Sequence, residues 1–214
     1  MEAGVHYGYS RTRRHPTNSS LIYGTKDKVD IINLDKTIPQ IEAAANFLQG
    51  LGAAGKMVLF VGVKPESRST VIEVATLLKQ PYVTERWIGG ILTNFSEIKH
   101  RIQKLEDLRE KRTSGELLKF TKKEQLLIDR EMERLTKYFG GLVGVTKLPD
   151  AIVIVDQKKE AIAAAEARKS NIPIVAIGNT DCSVRGIDYP ITANDSSASS
   201  IAILLGILKD AYQG

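Results

Sequence analysis

Three short runs constrain this chain more than anything else in it: Met57–Val63 (MVLFVGV), Ala151–Val155 (AIVIV) and Ile174–Ile177 (IVAI). Each is continuously apolar and rich in β-branched side chains. Each is also too short for a core helix, which is the signature of a strand buried on both faces. Helical patterns stand between and after them: Ser67–Leu78, with Val71, Val74, Ala75 and Leu78 on one face; an Ala-rich stretch at Lys159–Lys169; and a last helix near Ser197–Tyr212, capped by Asn194 or Asp195. Pro81–Thr84 and Asp188–Ile191 fit shorter strands, and so does Val29–Leu34. After Leu34 a helix is expected to open at Thr37, with Gln40 completing a capping box and Pro39 in the first turn. Strands that alternate with helices require a parallel sheet covered on both sides, so the fold class is α/β.

Residues 91–142 break that rhythm. Ile91, Phe95, Ile98, Ile102 and Leu105 are spaced 4, 3, 4, 3, and Ile128, Met132, Leu135, Phe139 and Leu142 repeat the spacing. That is a heptad seam written twice. Asn94 with Glu97, and Thr121 with Glu124, fit capping boxes, and Thr113-Ser114-Gly115 marks a reversal. The economical reading is an antiparallel coiled-coil helical hairpin inserted in the α/β domain. Its tip has few apolar residues to bury, so it is expected to protrude as an interaction arm. The organisation expected is therefore a basic irregular segment at 1–28, an α/β domain at 29–93 and 143–214, and a hairpin insertion at 94–142.

Charge is unevenly placed. The formal net charge is +5, a balance that favours anionic partners, nucleic acid first. Residues 9–28 hold five Lys/Arg against one Asp, residues 97–139 hold twelve against nine, and the remainder holds thirteen against fifteen. The positive charge thus lies outside the α/β body. Arg11, Arg13 and Arg14, set among Tyr7, Tyr9 and His15, suit phosphate contact with ring stacking. Lys26 and Lys28 extend that cluster. Lys111, Arg112, Lys119, Lys122 and Lys123 gather near the hairpin tip and tilt it toward RNA.

Catalytic and cofactor signatures are weak by comparison. The turn Phe60-Val61-Gly62-Val63-Lys64-Pro65-Glu66 follows a strand where doubly wound folds bind phosphate, yet it has one glycine and no dinucleotide fingerprint. Gly55-Lys56 is followed by Met57, which is no phosphate loop. Lys64 is expected to be a solvated loop lysine. Asp156 and Asp181 stand just past strands and are expected to serve as loop or capping carboxylates, with magnesium binding or acid–base work as the sharper alternative. His6, His15 and His100 share no ligand spacing, and Cys182 is the only cysteine, so neither a zinc site nor an internal disulfide is expected. No apolar run reaches the roughly 18–20 residues of a bilayer span, and no signal-peptide core is present. Residues 9–20 fit a transit peptide poorly.

Several motifs in order resemble one family. Glu2-Ala3-Gly4-Val5-His6-Tyr7-Gly8 opens the chain. Val29–Thr37, Leu59-Phe60-Val61-Gly62-Val63-Lys64, Leu148-Pro149-Asp150-Ala151 through Asp156, and Gly186-Ile187-Asp188-Tyr189-Pro190-Ile191 with Asn194-Asp195 follow. The most specific is Arg86-Trp87-Ile88-Gly89-Gly90-Ile91-Leu92-Thr93-Asn94-Phe95. Together they resemble the uS2 family of small-subunit ribosomal proteins, in its bacterial or organellar form. Against the family pattern, Tyr9 stands for a histidine, Thr17–Ser20 replaces a stretch that carries lysine, and Ser196 stands for an acid. Because the sequence starts close to the opening motif and ends just after the last helical pattern, the family's usual short leader is expected to be missing and no tail is expected.

The resemblance implies a flavodoxin-like three-layer domain with a protruding coiled-coil hairpin. It implies a structural role with no catalysis, no cofactor, no metal, no membrane and no small-molecule substrate. It implies 16S-type rRNA as partner, neighbouring small-subunit proteins including ribosomal protein S1, and a cytoplasmic place in the small subunit. Arg13 and Arg14 carry over as rRNA contacts, with Arg11 beside them. The residues expected at the RNA are Arg11, Arg13, Arg14, His15, Lys26, Lys28, Arg86, Lys111, Arg112, Lys122 and Lys123. Arg86 belongs to the segment at the hairpin root, where Trp87 is expected to pack and Gly89-Gly90 to allow a tight bend. The rival readings are an α/β enzyme acting on a small phosphorylated substrate through Lys64, Asp156 and Asp181, and a free RNA-binding regulator.

Overall fold

The structure is a computed structural model and describes residues 3–214; Glu2 of the opening motif lies outside the described residues. Chain order begins with three strands, β1 (Tyr7–Ser10), β2 (Ile22–Lys26) and β3 (Val29–Ile32). They form a separate antiparallel sheet in the order β1-β3-β2. The segment expected to be irregular thus contributes two strands of a sheet, with 3-10 turns at Arg11–Arg13 and Pro16–Leu21 between them, and the strand at 29–32 completes that sheet. Asp27 and Lys28 both have positive φ, the type I′ geometry of a two-residue hairpin between β2 and β3.

Helix α1 (Leu34–Ala53) follows, capped not at Thr37 but by the Asn33 side chain, which accepts from the Asp35 amide. Thr37 and Gln40 have another task. Thr37 Oγ1 donates to the Thr192 carbonyl, and Gln40 Oε1 accepts from the Thr192 amide.

The five buried strands are β4 (Val58–Val61), β5 (Tyr82–Val83), β6 (Ala151–Val155), β7 (Ile174–Gly178) and β8 (Tyr189–Thr192). They pair in parallel in the order β5-β4-β6-β7-β8. Counted along the parallel sheet alone this is 2-1-3-4-5, the flavodoxin-like order, with its switch point between β4 and β6. Alternate residues feed two cores. Val58, Phe60, Val153, Val155, Val175 and Ile177 face α1, α2 (Pro65–Leu77) and α6 (Ala198–Gln213). Leu59, Val61, Ile152, Ile154, Ile174 and Ala176 face α5 (Ala161–Lys169), the 87–92 loop and the roots of two further helices. Gly52 lets α1 approach α6: a Cβ there would lie 1.8 Å from the Tyr212 carbonyl oxygen.

Those further helices are α3 (Phe95–Thr113) and α4 (Lys122–Phe139). Ile98, Ile102 and Leu105 of α3 are buried with Met132, Leu135 and Phe139 of α4. Lys104 pairs with Glu131 and Arg112 with Asp129, so the two run antiparallel. The Thr121–Glu124 capping box forms, whereas Asn94 caps α3 without a side-chain bond. Toward the turn, Leu118, Phe120, Leu126 and Leu127 are exposed, more apolar surface than was expected there.

One carboxylate fixes the root of this pair. Glu166, on α5 and 8% exposed, accepts from the Trp87 indole, the amides of Gly90, Leu92 and Thr93, and the Thr93 hydroxyl. Burial would raise its pKa, but these donors outweigh burial and lower it. Gly90 has φ +96°, a conformation that L side chains rarely adopt, and a Cβ there would lie 3.3 Å from Asn94 Cβ. Replacing Glu166 by Ala strands these donors, and each buried unpaired donor costs about 1–3 kcal/mol. We expect a loss of about 3 kcal/mol or more and a red-shifted emission from Trp87, the only tryptophan, in a denaturant titration. Unchanged stability and emission would show that other contacts hold the loop.

Candidate nucleic-acid interface

The C-terminal edge of the parallel sheet, at the switch point, is filled by the chain itself. Lys64 leaves β4, Asp156 leaves β6 and Asp195 follows β8. Lys64 Nζ lies 2.8 Å from Asp156 Oδ2 and 3.0 Å from Asp195 Oδ2. Lys64 is therefore a partly buried, ion-paired structural cation, not a solvated loop lysine. Burial would lower its pKa, but the two carboxylates outweigh burial and raise it. On the alkaline side this pairing stabilises the fold below the ordinary lysine range and fades as pH rises past it; on the acid side it is lost as the carboxyls take up protons, Asp195 being raised by its burial.

Asp156 has φ +65° and caps the next turn, accepting the amides of Lys158 and Lys159. Asp181 pairs with Lys158 at 2.8 Å. Asp156, Cys182 and Asp195 offer ligand atoms within 4.8 Å of one another, and the Lys64 ammonium already supplies positive charge to both of those carboxylates. Cys182 is 1% exposed, and burial followed by the nearby carboxylates pushes its thiol far up. It is a packed, unreactive group.

This edge also seats the small antiparallel sheet. The Tyr9 amide donates to Thr180 Oγ1, the Tyr9 hydroxyl accepts from Ser196 Oγ, and Lys64 Nζ donates to that hydroxyl at 3.4 Å. Gly8 allows the approach, since a Cβ there would lie 2.7 Å from Thr180 Cγ2. Asn18 donates to the carbonyls of Asn179, Thr180 and Cys182.

The arginines of the N-terminal segment separate into two kinds. Arg14 forks onto Asp30, with Nε 2.8 Å from Oδ2 and Nη2 2.5 Å from Oδ1. Asp30 is fully buried, and the hydrogen bonds from Arg14 hold its carboxyl below the usual range against the cost of burial. The charge of Arg14 is thus committed to the fold. Arg11 and Arg13 are exposed, as are Lys26 and Lys28. The Arg11 amide donates to the Lys28 carbonyl, while both Ser10 and Lys26 pair with Val29. Arg11, Lys26 and Lys28 therefore meet at one end of the small sheet. Arg13 lies over the Tyr9 ring at 5.5 Å. Among the described residues none of the four is ion-paired to a carboxylate.

His15 is partly buried and caps the 3-10 turn Pro16–Leu21 by accepting from the Thr17 amide. Arg86 is exposed just before the 87–92 loop that leads into α3. Lys111, Arg112, Lys122 and Lys123 are exposed at the far end of α3 and α4, with Arg112 paired to Asp129.

The sequence model of the family described as "Ribosomal protein S2" matches residues 1–214. The chain belongs to the ribosomal protein S2 family. It is 41% identical over 211 residues to the small ribosomal subunit protein uS2 of Helicobacter acinonychis (strain Sheeba), covering 99% of this chain and 86% of that one. To the uS2 proteins of Helicobacter pylori (strain Shi470) and Roseiflexus sp. (strain RS-1) it is 41% and 42% identical, each over 99% of this chain and 80% of the other. The S2 family is one of structural ribosomal proteins, not enzymes. The geometry accords with that, because Lys64 and Asp156 of the enzyme reading neutralise each other. Among the described residues no helix is long and apolar enough to cross a membrane.

Two outcomes follow for the sheet edge. Lys64→Met leaves two buried carboxylates without their cation, and removing one partner of a buried pair costs about 3–5 kcal/mol. Such carboxyls take up protons in the folded state, so the loss should be largest at pH 7.5 and smaller at pH 5 in denaturant unfolding. A loss independent of pH would contradict the pairing. Glu160, 4% exposed, is pushed up by burial to about 7. A raised carboxyl makes stability fall as pH rises from about 4.5 to 7. Glu160→Gln should flatten that fall and gain about 2 kcal/mol at pH 8.

Proposed function

We propose that this S2-family chain is a structural constituent of the small ribosomal subunit that binds 16S-type rRNA and so supports translation. The rRNA contact is made first at the basic end of the N-terminal sheet. The observation that carries this is the meeting of Arg11, Lys26 and Lys28, with Arg13 beside them, exposed and without carboxylate partners among the described residues. Phosphate neutralisation needs cations that the fold has not used. The flavodoxin-like body supplies rigidity, and Tyr9, Asn18 and Lys64 hold the small sheet on it. His15 lies between the two, with one ring nitrogen committed to its cap. The α3/α4 pair reaches a second RNA or protein surface with Lys111, Arg112, Lys122 and Lys123 at its far end, and Arg86 marks its root. Ribosomal protein S1 is proposed among the protein neighbours, and the small subunit in the cytoplasm is the proposed location.

The test is rebinding of purified protein to small subunits depleted of it, across a potassium chloride series. Each phosphate that is no longer neutralised lowers the magnitude of the log–log salt slope by about 0.7–0.9. Arg11→Glu with Arg13→Glu should weaken binding at least tenfold and flatten the slope, while unfolding stays as in the parent. Normal incorporation of that double variant would move the grip elsewhere. Arg14 is left out of the test because its reversal strikes Asp30 and the fold.

A further inference from the structure

A second group of cations meets on the body, assembled from segments that the charge pattern of the sequence left unremarked. A cleft of about 410 Å³ runs along α5, between that helix and the 181–187 loop. Ala161, Ala164 and Arg168 line it at helical spacing, so two small side chains make its floor beside a guanidinium. Lys158 and Arg185 face it from either side, and His15 reaches it from the N-terminal segment. Gly186, at φ +72°, brings the loop over Arg168; a Cβ there would lie 2.7 Å from Arg168 Nη1.

The charge balance of the cleft is positive. Asp181 is its one carboxylate and is taken by Lys158. Arg168 and Arg185 are exposed and, among the described residues, form no ion pair. His15, two residues after Arg13, lines the cleft, so the cleft adjoins the basic N-terminal segment.

We propose that this cleft is a phosphodiester-binding site, with Arg168 and Arg185 clamping a backbone phosphate of rRNA and Lys158 beside them. This rests on the rRNA-binding reading and extends it to a second surface. Guanidinium forks match phosphate oxygens in pairs. A group of cations that adjoins the segment of Arg11 and Arg13 follows a strand of regularly spaced phosphates better than it follows one acidic side chain. The alanine floor with Ile187 gives an adjoining ribose an apolar wall.

The test uses the full chain and small subunits depleted of it. Arg168→Ala with Arg185→Ala should weaken rebinding roughly tenfold and lower the salt-slope magnitude by about 0.7–0.9 for one phosphate. Both side chains are exposed, and circular dichroism and unfolding curves should match the parent. Ultraviolet cross-linking of the rebound parent should leave ribonucleotide on peptides from 157–168 or 183–187. Unchanged affinity and slope would overturn the proposal, as would cross-links from those peptides to ribosomal proteins alone. A shift of the Arg185 side-chain resonance by inorganic phosphate, with rebinding of the double variant intact, would mark a small-anion site and also overturn it. The Arg11→Glu, Arg13→Glu variant separates the two readings. If it weakens binding and the cleft variant does not, only the cleft fails; if neither does, both fail.

Discussion

The ion cluster of Lys64 with Asp156 and Asp195 is the contact on which the rest depends. It sits where the strand order of the parallel sheet reverses, the place where doubly wound folds leave a crevice for a ligand. Here the crevice is closed by a cation of the chain's own. The closure joins the ends of β4, β6 and β8, and the Tyr9 hydroxyl adds the N-terminal sheet to the same cluster. A site that would hold substrate in an enzyme of this fold instead holds a basic appendage at a fixed angle. Buried ion pairs contribute little net stability but are costly to break, which suits a joint whose task is geometry.

The second appendage is held by the same logic with the charges reversed. At the root of α3 and α4 a buried carboxylate, Glu166, gathers an indole, three amides and a hydroxyl from one loop. Both appendages that carry exposed positive charge are thus anchored through buried charges on the body. Lys64, which anchors the small sheet to the body, and Arg14, which pairs with Asp30 inside that sheet, are ion-paired and partly buried. Cations left over, from Arg11 to Lys28 and from Lys111 to Lys123, are the ones available to an anionic partner.

The parallel strands were legible because strands buried on both faces must be continuously apolar, and MVLFVGV, AIVIV and IVAI are. The heptad seams announced α3 and α4 in the same way. The small sheet was not legible. Its strands β1 and β2 contain Gly8, Gly24, Tyr23 and Thr25 and show no clean alternation. Their positions depend on docking to Thr180 and its neighbours on the sheet edge rather than on any local pattern. Arg14 was indistinguishable from Arg11 and Arg13 within its run. The signal lay elsewhere, in Asp30, which shares the inward face of β3 with Ile32 and needed a partner. Glu166 carried no signal of its own within an Ala-rich helix. Lys64, Asp156 and Asp195 are far apart in sequence, yet each follows a strand on the same sheet edge, a cue that topology alone makes visible. Lys158, Arg168 and Arg185 are brought together only by the packing of α5 against the 181–187 loop.

The most direct measurement of the central claim, that anchored basic appendages on a closed α/β body grip RNA, is amide hydrogen exchange of the chain free and within the small subunit. The account predicts new protection at residues 9–14 and 25–29 and around 158 and 185, with the amides of β4, β6 and β7 slow in both states. Protection confined to the outer helices α1 and α6, with the N-terminal sheet exchanging as in the free chain, would contradict it.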